Sequence, residues 1–252
     1  MERNNTSNKD PYLNEETGVL KNKLNCYDYH KLKDLERAFT LFQLVTVENL
    51  STEKCSPELL KKVHKYIFED IYEWAGEYRK VPLYKIERVL PGLSLEYAKP
   101  KDIDSKLKEI FIRINKNKWE GKSLETVINE FAGFLTEIWK VHPFRDGNTR
   151  TTLSFGKILG KQIGLDLDLS YIRNELNRKY DKNGKITRIS VRDALVLAAL
   201  DKKDNPEPKY FQSIIRNAII IGYRTRKKQQ NGIRKEPDII NYTNNEHGFE
   251  DD

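Results

Sequence analysis

The central stretch of the chain reads Val141-His142-Pro143-Phe144-Arg145-Asp146-Gly147-Asn148-Thr149-Arg150, and it joins two segments with strong helical periodicity. Pro143 has no N–H and disfavours helical geometry at the residue before it, so we expect the first helix to end at His142. Asp146-Gly147-Asn148 has the composition of a turn, because Gly147 tolerates positive φ. The next helix is expected to begin near Thr149. His142 therefore lies at a helix exit and faces a loop that leads into a second helix.

The residue types in this loop fit one reaction class. The first N–H groups of a helix have no intrahelical acceptor and carry the positive end of the helix dipole, so the second helix can bind an anion at its start. Gly147 lets a phosphate approach the backbone, and Arg150 can add a forked contact to phosphate oxygens. Asp146 supplies a hard oxygen ligand for Mg²⁺, and His142 has a side-chain pKa near neutrality, as a general base requires. The set predicts nucleotidyl or phosphoryl transfer to a hydroxyl.

Each of these residues also has an ordinary structural interpretation. A histidine before proline can cap a helix, Asp-Gly-Asn is a common turn, and an arginine in a first helical turn is usually solvated. The functional interpretation therefore depends on the combination of residues 142–150, and not on any one of them.

Outward from this loop, the apolar spacing predicts a mainly α-helical protein. Before the loop, we expect a helix from Tyr29 whose apolar pattern runs through Leu32, Leu35, Phe39 and Phe42. A second helix is expected to start after Ser56-Pro57 and to end near Gly76. Further helices are predicted over about 101–117, 123–141, 149–164, 191–200 and 208–221. The fold class is therefore a helical domain.

One short β-hairpin is predicted over about 81–97. The residues from Tyr78 to Tyr84 are β-like, Pro91-Gly92 has turn composition, and the residues that follow alternate as a return strand. That return strand consists of Leu93, Ser94, Leu95, Glu96 and Tyr97.

Composition narrows the class of protein further. The chain has 252 residues, of which 33% are charged, and a net charge of +7. The sequence contains no run of 18 apolar residues, so no membrane helix is predicted. The N-terminus has no apolar stretch typical of a signal peptide. Cys26 and Cys55 form no disulfide framework, so we expect a cytoplasmic protein in a reducing compartment, while export into another cell stays open. The histidine spacing matches no zinc motif.

The basic charge also suggests nucleic-acid binding, but that interpretation is the weaker one. The positive charge is gathered into no helix or aromatic-interleaved stripe before the C-terminus. Residues 224–235 hold six basic side chains and residues 236–252 hold six acidic ones, so residues 224–252 are predicted to be a polar, charge-segregated tail. Residues 1–11 are expected to form a flexible N-terminus.

The chain resembles the Fic family. Residues 142–150 match the motif H-P-F-x-(D/E)-G-N-x-R at every defined position, and residues 12–24 and 64–79 are similar to the family's N-terminal segment and to the stretch before its hairpin. This resemblance covers about residues 12–165, and it implies a Fic domain over about 12–223.

The resemblance implies transfer of AMP from ATP to a hydroxyl of a target protein. By position, His142 would deprotonate the serine, threonine or tyrosine of the target, and Asp146 would hold Mg²⁺. The phosphates would lie against Gly147, Asn148, Thr149 and Arg150, with Gly147 and Asn148 at the anion hole and Arg150 at the outer phosphates. Phe144 would anchor the loop in the core. The hairpin would be a flap that binds the target by strand addition through residues 93–97.

One departure from the family leaves alternatives open. Thr149 stands where many members have glycine, and its branched side chain could crowd the anion hole. The Doc branch has lysine there and transfers phosphate, so the absence of lysine favours AMP. The alternatives are transfer of another nucleotide moiety or of phosphate, and a catalytically idle module whose basic tail binds nucleic acid or another polyanion.

Regulation is predicted from a missing pattern. Many Fic enzymes are restrained by a helix with (S/T)-x-x-x-E-(G/N), whose glutamate pairs with the final arginine of the motif. Thr126 to Glu130 has the spacing but is followed by Phe131, and Ser213–Ala218 has Asn217 in place of the glutamate. We therefore expect no restraint in cis by the usual glutamate, and restraint by a separate antitoxin-like protein or by other means. No membrane partner is expected.

Overall fold

The computed structural model describes residues 10–51, 53–87, 89–90, 95–174, 179–180 and 186–230. Helix α1 begins at Tyr29, where Asp28 caps it by accepting a hydrogen bond from the Lys31 N–H. The remaining helices and the two short strands follow in chain order. They are α2 (Pro57–Phe68), α3 (Ile103–Lys116), α4 (Leu124–Val141), α5 (Asn148–Gln162), α6 (Leu169–Asn174), β1 (Lys179–Tyr180), β2 (Ile186–Arg188), α7 (Val191–Ala198) and α8 (Lys209–Gln230).

The two central helices pack against each other and form the middle of the domain. Ser123 caps α4 by accepting from the Thr126 N–H at 3.2 Å. Its apolar face, with Phe131, Leu135 and Trp139, has no exposed surface. A Cβ on Gly156 of α5 would come within 2.8 Å of Leu135, so glycine permits the close approach of α4 and α5. Helices α2, α3, α7 and α8 surround this pair, and the mainly helical fold is confirmed.

Helix α2 is shorter than the sequence predicts. Ser56 caps it and Pro57 opens it, as expected. However, it ends at Phe68, and Gly76 follows in turn structure with φ of +85°. Ile71 and Trp74 are still buried, because irregular turns carry them into the core. Apolar periodicity therefore predicted their burial and overestimated the length of the helix.

Helix α1 buries only the first part of its apolar pattern, together with a polar stripe. The buried residues are Leu32, Glu36 and Thr40, spaced four apart. Phe39 and Phe42 are 41% and 70% exposed. A polar stripe thus faces the interior, because Glu36 takes part in a network of charged side chains at the central loop.

The helical domain extends past both predicted boundaries. Helix α8 continues to Gln230, so residues 224–230 of the predicted tail are helical. No glycine or proline interrupts them, and Arg, Lys and Gln are good helix formers. At the other end Asp10, within the predicted flexible N-terminus, pairs with Arg145 at 2.7 Å. Residues 1–9 and 231–252 lie outside the described residues.

The predicted hairpin is described only in part. Residues 81–87, 89–90 and 95–97 are described, and apart from a single bridge position at Ile86 they contain no regular strand. The Arg79 side chain holds both ends of this segment, because it donates to the carbonyls of Val81 and Ala98. In the described part of the chain, antiparallel strand pairing occurs instead between β1 and β2, which the sequence did not predict.

Among the described helices, none has the length and apolar character of a membrane span.

Candidate active site

His142 lies at the end of α4 in a left-handed conformation, with φ of 51° and ψ of 59°. A residue with a Cβ rarely adopts this conformation, so the surrounding contacts must hold it. The main-chain N–H of Arg79 donates to the Pro143 carbonyl at 2.8 Å, and the Arg79 Nε donates to the His142 carbonyl at 2.8 Å. Arg79 is 2% exposed. It therefore fixes the His142 backbone and the segment after it at the same time.

The contacts of His142 select one neutral tautomer. Nδ1 lies 3.2 Å from the Trp139 carbonyl, and since a carbonyl can only accept, Nδ1 carries the proton. Nε2 therefore presents a lone pair, and the Lys85 ammonium lies 3.5 Å from it. Burial lowers the pKa of His142 well below 6.5, and the positive charges of Lys85 and Arg192 lower it further. The imidazole is thus neutral, and the role of His142 as a general base stays a prediction.

A second histidine, which the sequence analysis did not assign, supports the loop from behind. His64 is fully buried and stacks on Phe144 with ring centroids 3.9 Å apart. Its Nδ1 accepts from the Gly76 N–H at 2.8 Å, so Nε2 carries the proton and donates to the Asp146 carbonyl at 3.2 Å. Burial lowers the pKa of His64 to about 3. Phe144 has no exposed surface and anchors the loop in the core.

Asp146 opens onto the same pocket as His142 and is held in the ionised form. One carboxylate oxygen accepts from the Gly147 N–H at 2.7 Å, and the other accepts from Lys33 at 3.0 Å. Burial raises the pKa of Asp146, but the charges of Lys33, Arg150 and Lys85 outweigh burial and bring the pKa below its ordinary value. No group of three acidic, histidine or cysteine side chains in the described ranges could hold a metal alone.

Gly147 is required by packing as well as by backbone conformation. Its φ is +77°, and a Cβ there would overlap the Phe68 ring. Asn148 is 4% exposed, and its side chain exchanges two hydrogen bonds with the backbone of Phe144, at 2.9 and 2.8 Å. The Asn148 amide therefore ties the loop together. Because these bonds occupy the Asn148 side chain, the predicted anion hole depends on the backbone N–H groups at the start of α5.

The Thr149 side chain is hydrogen-bonded to α4. Its hydroxyl oxygen accepts a hydrogen bond from the Trp139 indole N–H at 3.0 Å. The hydroxyl therefore anchors α5 to α4 through Trp139. Thr149 still lines the pocket.

Arg150 pairs with Glu36, a residue that the sequence analysis missed. Arg150 Nη2 lies 2.6 Å from Glu36 Oε1, and the guanidinium lies 4.6 Å from the centroid of the Phe68 ring. Glu36 is 2% exposed, and it also accepts from the Tyr72 hydroxyl. The sequence signal for Glu36 was an acidic residue four positions after Leu32 on the buried stripe of α1. It lies in no (S/T)-x-x-x-E-(G/N) pattern, because the residues around it read Leu32-Lys33-Asp34-Leu35-Glu36-Arg37.

These residues enclose one cavity of about 150 Å³. Its lining comprises Lys85, His142, Asp146, Gly147, Asn148, Thr149, Arg150 and Arg192. All six motif residues that the sequence assigned to the base, the metal and the phosphates therefore meet in one place. Lys85 and Arg192 come from outside the motif, and no sequence pattern indicated them.

The predicted target-docking residues lie at the edge of this site only in part. Leu95 and Tyr97 are buried, and the Tyr97 ring stacks on His142 with centroids 4.0 Å apart. Glu96 is exposed, while Leu93 and Ser94 lie outside the described residues. Leu95 and Tyr97 therefore pack inward, and strand addition by residues 93–97 stays a prediction.

The two segments that come nearest to the inhibitory pattern, Thr126–Phe131 and Ser213–Ala218, make other contacts. Glu130 accepts from Lys122 and Asn117. Asn217 donates to the Tyr171 hydroxyl at 3.2 Å. The carboxylate that pairs with Arg150 instead comes from α1.

Comparisons with known proteins show which family this chain resembles. Residues 54–159 match the Fic/DOC family. Protein adenylyltransferase VbhT of Bartonella schoenbuchensis is 32% identical over 175 residues, which are 67% of this chain and 34% of VbhT. The probable protein adenylyltransferase y4lH of Sinorhizobium fredii is 29% identical over 64% of this chain and 81% of that protein. The chain thus spans about a third of the length of VbhT and most of the length of y4lH.

Solved structures show the same fold. The FIC domain of Bep8 from Bartonella sp. 1-1C has a TM-score of 0.63 at 24% identity, and covers 82% of this chain and 94% of that domain. BepC of Bartonella tribocorum, solved with bound AMPPNP, has a TM-score of 0.61 at 22% identity, over 82% of this chain and 95% of that one. The chain therefore contains a Fic/DOC family domain, which spans residues 54–159.

Proposed function

We propose that this protein is an adenylyltransferase that moves AMP from ATP to a serine, threonine or tyrosine hydroxyl of a target protein. The observation that carries the proposal is the single cavity into which His142, Asp146, Arg150 and the start of α5 all open. A neutral imidazole, a carboxylate, a guanidinium and a helix N-terminus are the groups that hydroxyl attack on a phosphate requires. The names of the relatives support AMP as the transferred group.

The proposed transfer forms one bond to the α-phosphorus of ATP and breaks another. The target hydroxyl donates its proton to His142 Nε2, and its oxygen forms a bond to the α-phosphorus of ATP. The bond from that phosphorus to the oxygen that bridges to the β-phosphorus breaks, and pyrophosphate leaves. The Trp139 carbonyl, which accepts from Nδ1 at 3.2 Å, stabilises the imidazolium that forms. Backbone N–H groups at the start of α5 offset negative charge on the reacting phosphate.

The residues present fit one magnesium ion held together with substrate phosphates. Magnesium often takes one or two protein carboxylates and completes its shell with phosphate oxygens and water. Asp146 is ionised and lines the cavity, but Lys33 already contacts it at 3.0 Å. When bound, the metal would neutralise phosphate charge. Lys33 would have to release this oxygen of Asp146 for it.

The experiment compares ATP labelled at the α-phosphate with ATP labelled at the γ-phosphate. The protein is incubated with each, with MgCl₂ and with a cell lysate. Label from the α-position alone, with the mass of AMP on the modified protein, supports the proposal. Label from the γ-position alone would mean phosphate transfer. No protein-bound label from either nucleotide, together with measurable ATP binding, would favour an idle binding module.

We also propose a cytoplasmic site of action and a separate antitoxin-like inhibitor. Cys26 and Cys55 are both free and buried, which suits a reducing compartment. Because Glu36 already pairs with Arg150, an inhibitor that inserts its own glutamate would have to compete with this internal carboxylate. Such a partner would be detected as a protein that binds the wild type and lowers labelling.

A further inference from the structure

The cavity has a second group of positive charges that the family motif does not supply. Lys85 comes from the segment after Arg79, and Arg192 is the second residue of α7. Among the described residues that line this space of about 150 Å³, Lys85, Arg192 and Arg150 are basic and Asp146 is acidic. Arg150 and Arg192 are each paired with a buried carboxylate on one side, Glu36 and Glu87 respectively. A cavity lined mainly by basic side chains favours an anionic ligand.

Arg192 is built into its position. Its Nη2 lies 2.6 Å from Glu87 Oε1, and its guanidinium lies 5.9 Å from the centroid of the Trp139 ring. Glu87 is 4% exposed, and it also accepts from the Tyr97 hydroxyl at 2.7 Å. The Arg192 side chain keeps 36% of its surface exposed. The buried carboxylate therefore fixes one edge of the guanidinium and leaves N–H groups for a ligand in the cavity.

Lys85 lies next to the atom that starts the reaction. Its Nζ is 3.5 Å from His142 Nε2. A hydroxyl that gives its proton to Nε2 must lie within about 3 Å of that nitrogen, and the phosphorus it attacks lies about 3–3.5 Å beyond the hydroxyl oxygen. An ammonium beside Nε2 is therefore within reach of the oxygens of the reacting phosphate.

We propose that Lys85 and Arg192 are phosphate-binding residues, which contact the phosphoryl oxygens of ATP independently of the motif, with Lys85 at the phosphate that is attacked. This inference rests on the proposed function in taking ATP as the ligand. It adds that the segment after Arg79 and the start of α7 are part of the nucleotide site.

The test measures binding without transfer. The affinity of the full chain is measured by calorimetry for α,β-methylene-ATP, which has no cleavable α–β bond, and for adenosine, which has no phosphate. We expect Lys85→Gln to weaken binding of the analogue about 10- to 100-fold, and Arg192→Gln to do the same, because each removes a charge-assisted hydrogen bond. Adenosine affinity should stay within about twofold.

Matched variants separate charge from structure. Lys80→Gln removes the same charge close to Lys85 in sequence, but Lys80 is 77% exposed and lies outside the cavity lining, so binding should not change. Lys85→Arg and Arg192→Lys keep the charge and should keep most of the affinity. Arg192→Gln is also made with Glu87→Gln, so that no buried carboxylate is left without its arginine.

Three results would overturn the inference. They are unchanged affinity for the analogue in both glutamine variants, an equal loss of adenosine affinity, and losses in Lys85→Arg and Arg192→Lys as large as in the glutamine variants. The outcome is separable from the proposed function. AMP labelling that persists beside unchanged binding would refute the two residues alone, whereas the expected binding pattern without AMP labelling would refute only the transfer.

Discussion

Glu36 Oε1 and Arg150 Nη2 lie 2.6 Å apart, although 114 residues separate them in the chain. The Glu36 side chain is 2% exposed and that of Arg150 is 24% exposed. The pair therefore connects the buried face of α1 to the lining of the cavity. Lys33, one turn earlier on α1, lies 3.5 Å from Glu36 and 3.0 Å from Asp146. Helix α1 therefore holds both charged groups of the motif, one through a carboxylate and the other through an ammonium.

Glu36→Gln should lower the free energy of unfolding by about 2 kcal/mol, because it removes the carboxylate from a mostly buried ion pair and leaves Arg150 uncompensated. Urea unfolding measures the change. The control is Asp34→Asn on the same helix, whose side chain is 75% exposed and whose pair with Arg37 should contribute less than about 0.5 kcal/mol. Equal effects of the two substitutions would mean that the buried pair contributes no more to stability than the exposed pair.

His142→Ala should reduce transfer about 10²- to 10⁴-fold and leave ATP affinity nearly unchanged, because the imidazole is assigned to the attacking hydroxyl. Labelling with α-labelled ATP measures the first effect and calorimetry measures the second. Labelling by this variant at near the wild-type rate would show that His142 is not the base.

The pH dependence of transfer follows from the lowered pKa of His142. A base must be deprotonated to act, and burial together with Lys85, Arg192 and Arg79 keeps the imidazole neutral below its ordinary pKa of 6.5. We expect kcat/KM for a modified target to stay level from about pH 8 to about pH 6 and to fall only at lower pH. A decline centred near pH 6.5 would contradict the assigned environment.

His64 should make the fold less stable in acid. Its folded-state pKa is about 3, so below pH 6.5 the unfolded chain binds a proton that the folded chain does not. Stability therefore falls as the pH falls, by about 1.4 kcal/mol per pH unit from this group within that window. His64→Gln keeps one donor and one acceptor but does not titrate. Its unfolding free energy should fall less steeply with acid by that amount, and equal slopes would show that His64 is protonated in the folded protein.

Gly147→Ala should destabilise the protein for two separable reasons. Its φ of +77° strains any residue with a Cβ, at a cost of about 1–2 kcal/mol. The new Cβ would also overlap the Phe68 ring. In a Phe68→Leu background the second part should shrink, so the two substitutions should be non-additive in unfolding free energy. Additive effects would mean that the Phe68 contact does not matter.

Local sequence information was enough to predict most of the helices and the motif residues that share the cavity. Ser56, Ser123 and Ser190 cap helices within three residues of themselves. Pro143 disfavours helical geometry at His142, the residue before it, and α4 ends there. This effect is local, so it could be predicted from the sequence. The loop of residues 142–150 could be interpreted from the sequence because its histidine, aspartate, turn and arginine lie within nine residues of one another.

Residues distant in sequence complete the site, and only the tertiary structure identified them. Arg79, Lys85 and His64 contact the loop across 63, 57 and 82 residues, and Glu36 across 114. Helix α1 shows the physical reason. Its apolar pattern runs through Phe39 and Phe42, which are exposed, whereas Glu36 and Thr40 are buried. Ion pairs with the distant Arg150 and with Lys33 on the same helix offset the cost of burying the Glu36 carboxylate. A sequence records which residues share a helix face, but the partner that makes a polar face favourable inside the protein is present only after the chain has folded.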